Sequence, residues 1–154
     1  NVASLAQARN FLYLINPSGF ASRQVFLDSL ASARHDVILI DAFYENSSLT
    51  ADEVARLKQK PQGGTRLIIA YMSIGEAEDY RYYWQSGWKP GNPAWIQAEN
   101  PDWAGNYVVQ YWDTEWQAVI FGNADAYLDR ILAAGFDGVY LDIIDAFEYF
   151  EAQE

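Results

Sequence analysis

Cysteine is absent from this chain of 154 residues, and histidine occurs once, as His35. Disulfide scaffolds and thiolate metal centres are thereby excluded, and a zinc site is not expected. A carboxylate site for calcium or magnesium stays open at this point. No apolar run approaches the roughly 18 residues of a spanning helix, so no membrane span is expected. No charged-then-apolar leader stands at the start, so a signal peptide is read as absent or already removed. No glycine-rich phosphate cradle is present, which argues against nucleotide cofactors, and no cofactor is predicted. Low-complexity segments are missing too.

Basic residues are scarce in one half only. Residues 1–89 hold nine acids and nine bases, which cancel. Residues 90–154 hold twelve acids and a single base, Arg130, so the whole net charge of −11 arises there. Nucleic acid is excluded as a natural partner, because phosphate binding needs clustered Lys and Arg. A cationic or neutral partner fits better, although such acids also keep a surface soluble. The chain is 51% hydrophobic and 20% charged, too apolar for disorder, and its length suits one domain.

The pattern alternates strand and helix. Residues 11–15 form a short apolar run ended by the turn cluster Asn16-Pro17-Ser18-Gly19. Residues 22–34 place Val25, Phe26, Leu30 and Ala33 near helical spacing. Residues 37–41 are a β-branched run without alternation, as in a parallel strand covered on both faces. Thr50 and Glu53 have capping-box spacing and open a helix to about Lys60, stopped by Pro61 and Gly63-Gly64. Residues 66–71 read as a third strand. A long insertion rich in Gly, Pro and Trp fills 73–106. Residues 107–111 read as a fourth strand, helices follow from 114 and 123 to Gly135, 137–142 reads as a fifth strand, and 145–154 opens a helix. Five βα units imply an α/β fold with a parallel sheet, open or part of a barrel.

Each run ends in a group able to carry chemistry. These are Asn16; Asp41; Tyr71, Ser73 and Glu76; Tyr111 and Asp113; and Asp142 with Asp145. The carboxyl ends of parallel strands share one side, where active sites form. Asp113 and Asp145 could equally cap the helices that follow them. Asp142 fits that role less well, since it ends a run that should be buried, where a lone carboxylate is costly. All six Trp fall between residues 84 and 116, with five Tyr in or beside that window. Trp116 and one other are expected in the core. The remaining rings suit stacking on sugar faces or cations.

Three blocks carry a resemblance. Residues 71–84 read YMSIGEAEDYRYYW; residues 100–107 read NPDWAGNY, followed by Tyr111-Trp112-Asp113 and Trp116; residues 135–145 read GFDGVYLDIID. From about Phe11 to Phe150 the chain resembles glycoside hydrolase family 114, the endo-α-1,4-polygalactosaminidase group once described as cysteinyl-tRNA-synthetase-related. The resemblance implies a single (β/α)-barrel hydrolase domain over residues 1–154, comprising the N-terminal five βα units. It implies an exported, extracellular or periplasmic enzyme that cuts galactosamine-containing exopolysaccharide, a cationic polymer suited to the acidic second half.

On that resemblance Asp142 matches the catalytic acid of the family's Leu-Asp motif. Glu76 and Arg81 match positions lining the cleft, and Asp41 matches the acid ending the second strand. Tyr71, Ser73, Trp84, Tyr111, Asp113 and Asp145 join the substrate-binding set. The family's second acid is a Glu from a later strand, and eight βα units usually occupy about 250 residues, so the chain reads as truncated after the fifth strand. Glycoside hydrolysis normally needs two carboxyls, and Glu76 is the best partner for Asp142 here. The alternative is a truncated or inactive barrel that binds cationic glycan or forms an interface through its open sheet edges. A partial barrel also leaves Ile38, Ile68, Val109 and Val139 incompletely covered, which predicts a dimer, a completing segment, or loops folded over the gap.

Overall fold

The computed structural model describes residues 1–153, which divide into two compact units. The first comprises residues 1–71 and 130–140, and the second comprises the remainder.

In the first unit, strand β1 (Phe11–Leu14) is followed by helix α1 (Arg23–Ser32) and strand β2 (Val37–Asp41). A hairpin of β3 (Phe43–Tyr44) and β4 (Ser47–Ser48) leads into α2 (Ala51–Leu57) and then β5 (Leu67–Ser73). Strand β9 (Gly138–Asp142) completes a four-stranded sheet in the order β1-β2-β5-β9. The pairings Leu12–Ile38 and Ile38–Ile68 are parallel, and Asp137 N–H reaches Ile68 O at 2.8 Å where β9 begins. The α/β class with a parallel sheet, consistent with a partial barrel, therefore holds. Val37 to Ile40 are all buried, as the unalternating run predicts.

Caps set the helix boundaries. Ser22 Oγ accepts from Val25 N–H at 3.2 Å, and Thr50 with Glu53 makes both bonds of a capping box, at 3.2 and 2.7 Å. The expected third strand begins one residue late for a reason. The buried Arg66 guanidinium turns to donate to the carbonyls of Ala31, Ala33 and Gln59, tying down the last turn of α1.

The second unit corrects the strand count. β6 (Glu76–Glu78), β7 (Ile96–Glu99) and β8 (Asn106–Val109) form an antiparallel sheet in the order β6-β8-β7. The run at 107–111 thus never joins the parallel sheet. Only Ile74 and Gly75 separate β6 from β5, and Val109 N–H donates to Gly75 O at 3.3 Å, so β6 offers β8 a nearby antiparallel partner. A parallel partner would have required a crossover connection. Helices α3 (Thr114–Ile120), α4 (Tyr127–Ala133) and α5 (Phe147–Glu151) follow.

The aromatic window divides between core and surface. Trp95 and Trp116 are buried 5.3 Å apart, Trp88 packs edge-on to Trp95, and Trp84 lies between Trp88 and Tyr107. Trp95 and Trp116 are thus core, as expected, Trp84 and Trp88 are half-buried against them, and Trp103 and Trp112 are exposed. Ile38, Ile68 and Val109 are fully buried, contrary to the expectation of incomplete cover, and Val139 is half-buried. The outer strands do expose apolar groups, among them Phe11, Tyr140 and Leu141. No helix among the described residues is long and apolar enough to cross a membrane.

Candidate functional site

Glycine is obligatory where β5 turns into β6. A Cβ on Gly75 would lie 2.2 Å from Ile143 O and 2.6 Å from the Ala146 Cβ. This close approach sets the segment after Asp142 against the start of β6, where Ile74 N–H donates to Asp142 O at 3.1 Å. Ile143 pays for the arrangement with φ +56°, a left-handed conformation that a β-branched residue rarely adopts. Such strain gathers at functional sites.

The approach encloses a 340 Å³ pocket in the second unit. Its wall carries four carboxylates, Glu76, Glu99, Asp145 and Glu148, together with Asn100, Pro101 and Tyr149. Among the described residues it carries no Lys, Arg or His. Glu76 is 4% exposed, and burial of a carboxylate demands donors. Asn100 Nδ2 donates to Glu76 Oε1 at 2.7 Å and Asn106 Nδ2 to Oε2 at 3.2 Å. The orientation of Asn100 is fixed by a backbone donor. Asn100 Oδ1 accepts from Asp102 N–H at 2.9 Å, and Asn106 Oδ1 lies 3.1 Å from the Tyr80 hydroxyl. Glu76 is thereby held as a two-sided acceptor facing the pocket.

The supporting shell is itself polar and buried. Tyr80 O–H also reaches Glu78 Oε1 at 2.9 Å, and Arg81 Nε donates to Glu78 Oε2 at 2.7 Å with both side chains nearly inaccessible. Glu78 N–H donates to the Tyr83 hydroxyl, whose pKa burial pushes well above the usual tyrosine value. The loop bearing both asparagines is closed by Gly105 N–H donating to Glu99 Oε1 at 2.7 Å. Gly105 has φ +86°, and a Cβ there would meet Asp79 Oδ1 at 2.7 Å.

Of the sequence-predicted residues, the pocket wall brings together Glu76 and Asp145. Asp142 ends β9 half-buried, and its carbonyl is bonded to Ile74 beside the pocket. Ser73 Oγ reaches Glu76 O at 3.4 Å. Arg81 serves Glu78, and Trp84 packs on Trp88 and Tyr107. Asp113 caps α3, accepting from Glu115 N–H at 2.8 Å. Tyr111 is exposed. Asp41 and Tyr71 lie in the first unit, where Asp41 accepts from Phe43 N–H at 3.0 Å. Glu99, Glu148, Asn100, Asn106 and Tyr149 were missed as site residues. Both asparagines stood in the quoted NPDWAGNY block, which was the available signal. Among the described residues, no three His, Cys, Asp or Glu side chains are grouped to hold a metal ion.

Comparison with known proteins converges on one family. The model of glycoside hydrolase family GH114 matches residues 13–154. An uncharacterized protein of Deinococcus radiodurans is 46% identical over 125 residues, covering 81% of this chain and 38% of its own. Uncharacterized proteins of Methanocaldococcus jannaschii and Thermotoga maritima are 44% and 40% identical, over 80% and 81% of this chain. The chain spans 34% and 37% of those two relatives, little more than a third of their length.

Proposed function

The chain belongs to glycoside hydrolase family GH114, and from that premise we propose that it supplies the carboxylate site of a hydrolase acting on galactosamine-containing polysaccharide outside the cell. One observation carries the reading: a buried carboxylate, Glu76, clamped by two amides in a pocket walled by three further acids and no cationic side chain among the described residues. A sugar bearing ammonium groups complements that wall, and its hydroxyls can donate to the same oxygens.

Two carboxyls are needed for glycosidic cleavage, about 5–5.5 Å apart for retention and about 6.5–9.5 Å for inversion. In the proposed mechanism Asp142 is one carboxyl, acting at the anomeric carbon or on the leaving oxygen, and a Glu from a later strand of the full barrel takes the other role. Glu76, an acceptor on both oxygens, supports the positive charge that develops on the ring. Asp145 lines the path, and Arg81 positions the Glu76 network through Glu78 and Tyr80. Asp41, Tyr71, Ser73, Trp84 and Asp113 remain proposed contributors to substrate binding. A completing chain segment or a second copy would meet the outer strands, where Phe11, Tyr140 and Leu141 are exposed.

A second reading is a glycan-binding domain without turnover, favoured by the placement of Asp142 outside the pocket wall. Release of reducing ends from deacetylated galactosamine polymer separates the two. Asp142→Asn should lower turnover at least a hundredfold, on the order of a positioned acid or base, while the melting temperature stays near wild type. Undiminished hydrolysis by the variant would end the catalytic assignment.

A further inference from the structure

Four rings at the surface of the second unit form a row. Trp112 and Tyr111 are 50% and 41% exposed. The Tyr111 and Trp112 ring centroids lie 5.0 Å apart, and Trp112 lies 4.7 Å from Phe150. Their planes are steeply inclined, at 87° and 70°, so the rings brace one another edge to face. Phe150 is followed at 5.0 Å by Tyr149, which belongs to the wall of the acidic pocket. A second hollow of 150 Å³, lined by Tyr111 and Phe147, shares Gly75, Ile143 and Ala146 with that pocket. The row and the carboxylates are therefore parts of one continuous surface.

Large exposed rings beside a recess mark a binding surface. The carboxylate end decides what binds. A hydrophobic protein partner would desolvate four acids with no basic group of this chain to pair them. A chain of hydroxylated rings carrying amino groups leaves none of them unpaired: its ammonium groups meet the acids and its flat C–H faces lie on the aromatic row.

We propose that Trp112, braced edge to face by Tyr111 and Phe150, forms a ring-stacking subsite for one sugar of an amino-bearing polysaccharide whose neighbouring sugar occupies the acidic pocket. The proposal rests on the reading above for the class of polymer, and it adds that recognition requires at least two linked rings.

The test titrates the protein with galactosamine, with a deacetylated α-1,4-galactosamine hexamer, and with maltohexaose as a neutral chain of equal length. Calorimetry and tryptophan fluorescence report binding, and melting curves report folding. The hexamer should bind at least tenfold more tightly than galactosamine and quench fluorescence. Trp112→Ala should abolish most of that gain and leave galactosamine affinity unchanged. Trp112→Leu, which keeps an apolar side chain without the ring, carries the same expectation should the first variant melt early. Wild-type hexamer affinity in both variants would overturn the subsite, and maltohexaose binding as tightly as the hexamer would overturn its link to the acids. Turnover plays no part in these readings. Absent hydrolysis with length-dependent binding would defeat the hydrolase reading and leave the subsite standing.

Discussion

Exchanging charge between Glu76 and Asn106 separates what the buried carboxylate does for the fold from what it does for the pocket. In Glu76→Gln one arm becomes an NH₂ that must face the Nδ2 of either Asn100 or Asn106, now 2.7 and 3.2 Å from carboxylate oxygens. Flipping Asn100 forfeits its bond from Asp102 N–H, whereas a flipped Asn106 can donate to the Tyr80 oxygen while the hydroxyl proton stays on Glu78. Either way the two charge-assisted bonds to position 76 become neutral ones in a buried place. A bond to a charged group is worth about 1.5–3 kcal/mol, so the loss should be about 2–3 kcal/mol. For a chain of this size that lowers the melting temperature by about 5–10 °C. Adding Asn106→Asp restores the pattern, since the carboxylate it introduces accepts from both the substituted amide at position 76 and the Tyr80 hydroxyl. More than half the lost stability should return, the remainder withheld by repulsion from Glu78 across that hydroxyl. The charge, however, now sits behind the pocket wall. Affinity for galactosamine oligomers should stay as low in the double variant as in Glu76→Gln. Calorimetric melting and binding titrations of the three proteins decide it. A double variant that melts no higher than Glu76→Gln would refute the clamp.

Two further outcomes follow from other contacts. The Arg23 guanidinium, aided by Thr50 N–H, draws Glu53 from its usual 4.5 to about 2. A folded value below the unfolded one stabilises fully above about pH 4.5, and that contribution is lost as pH falls towards 2. Its face value is about 3 kcal/mol, which water around side chains 26% and 23% exposed reduces to about 1–2 kcal/mol. Urea unfolding should show Glu53→Gln, which keeps the capping box, weaker at pH 7 and approaching wild type only towards pH 2; a difference independent of pH would rule this out. Gly75→Ala should lower stability by about 3 kcal/mol or more, because its Cβ meets a carbonyl and a Cβ at 2.2 and 2.6 Å. A melting temperature within about 2 °C of wild type, on the order of less than 1 kcal/mol, would show that this approach is loose.

The parallel sheet was legible because its signals are local. Residues 37–40 bury on both faces as their composition requires, and Thr50 with Glu53 announces α2 within four residues. The destination of the strand at 107–111 was not local. Its composition suits either sheet, and the choice rests on whether β6 lies near, which depends on the tight turn at Ile74-Gly75. Arg66 shows the same limit on a smaller scale. Nothing in the sequence says that its guanidinium closes the end of α1 rather than opening β5.

The site was legible in its acids and illegible in its amides, for one physical reason. A carboxylate near a strand end is visible as an unusual residue in an apolar context, so Glu76, Asp142 and Asp145 stand out unaided. An asparagine in a loop such as 100–106 has an ordinary explanation in turn formation, and Asn100 indeed makes that turn with Asp102 N–H. The turn is what commits its oxygen and leaves Nδ2 to the carboxylate 24 residues away. The turn chemistry and the clamp are thus one arrangement, and no reading of the loop by itself separates them. The aromatic window has the same character. Trp95 and Trp116 fill a core while Trp112 faces water, and the difference lies in which helix and sheet faces the rings meet. Composition announces that aromatic surface is abundant in this segment; only the packing tells which rings are left over to meet a ligand.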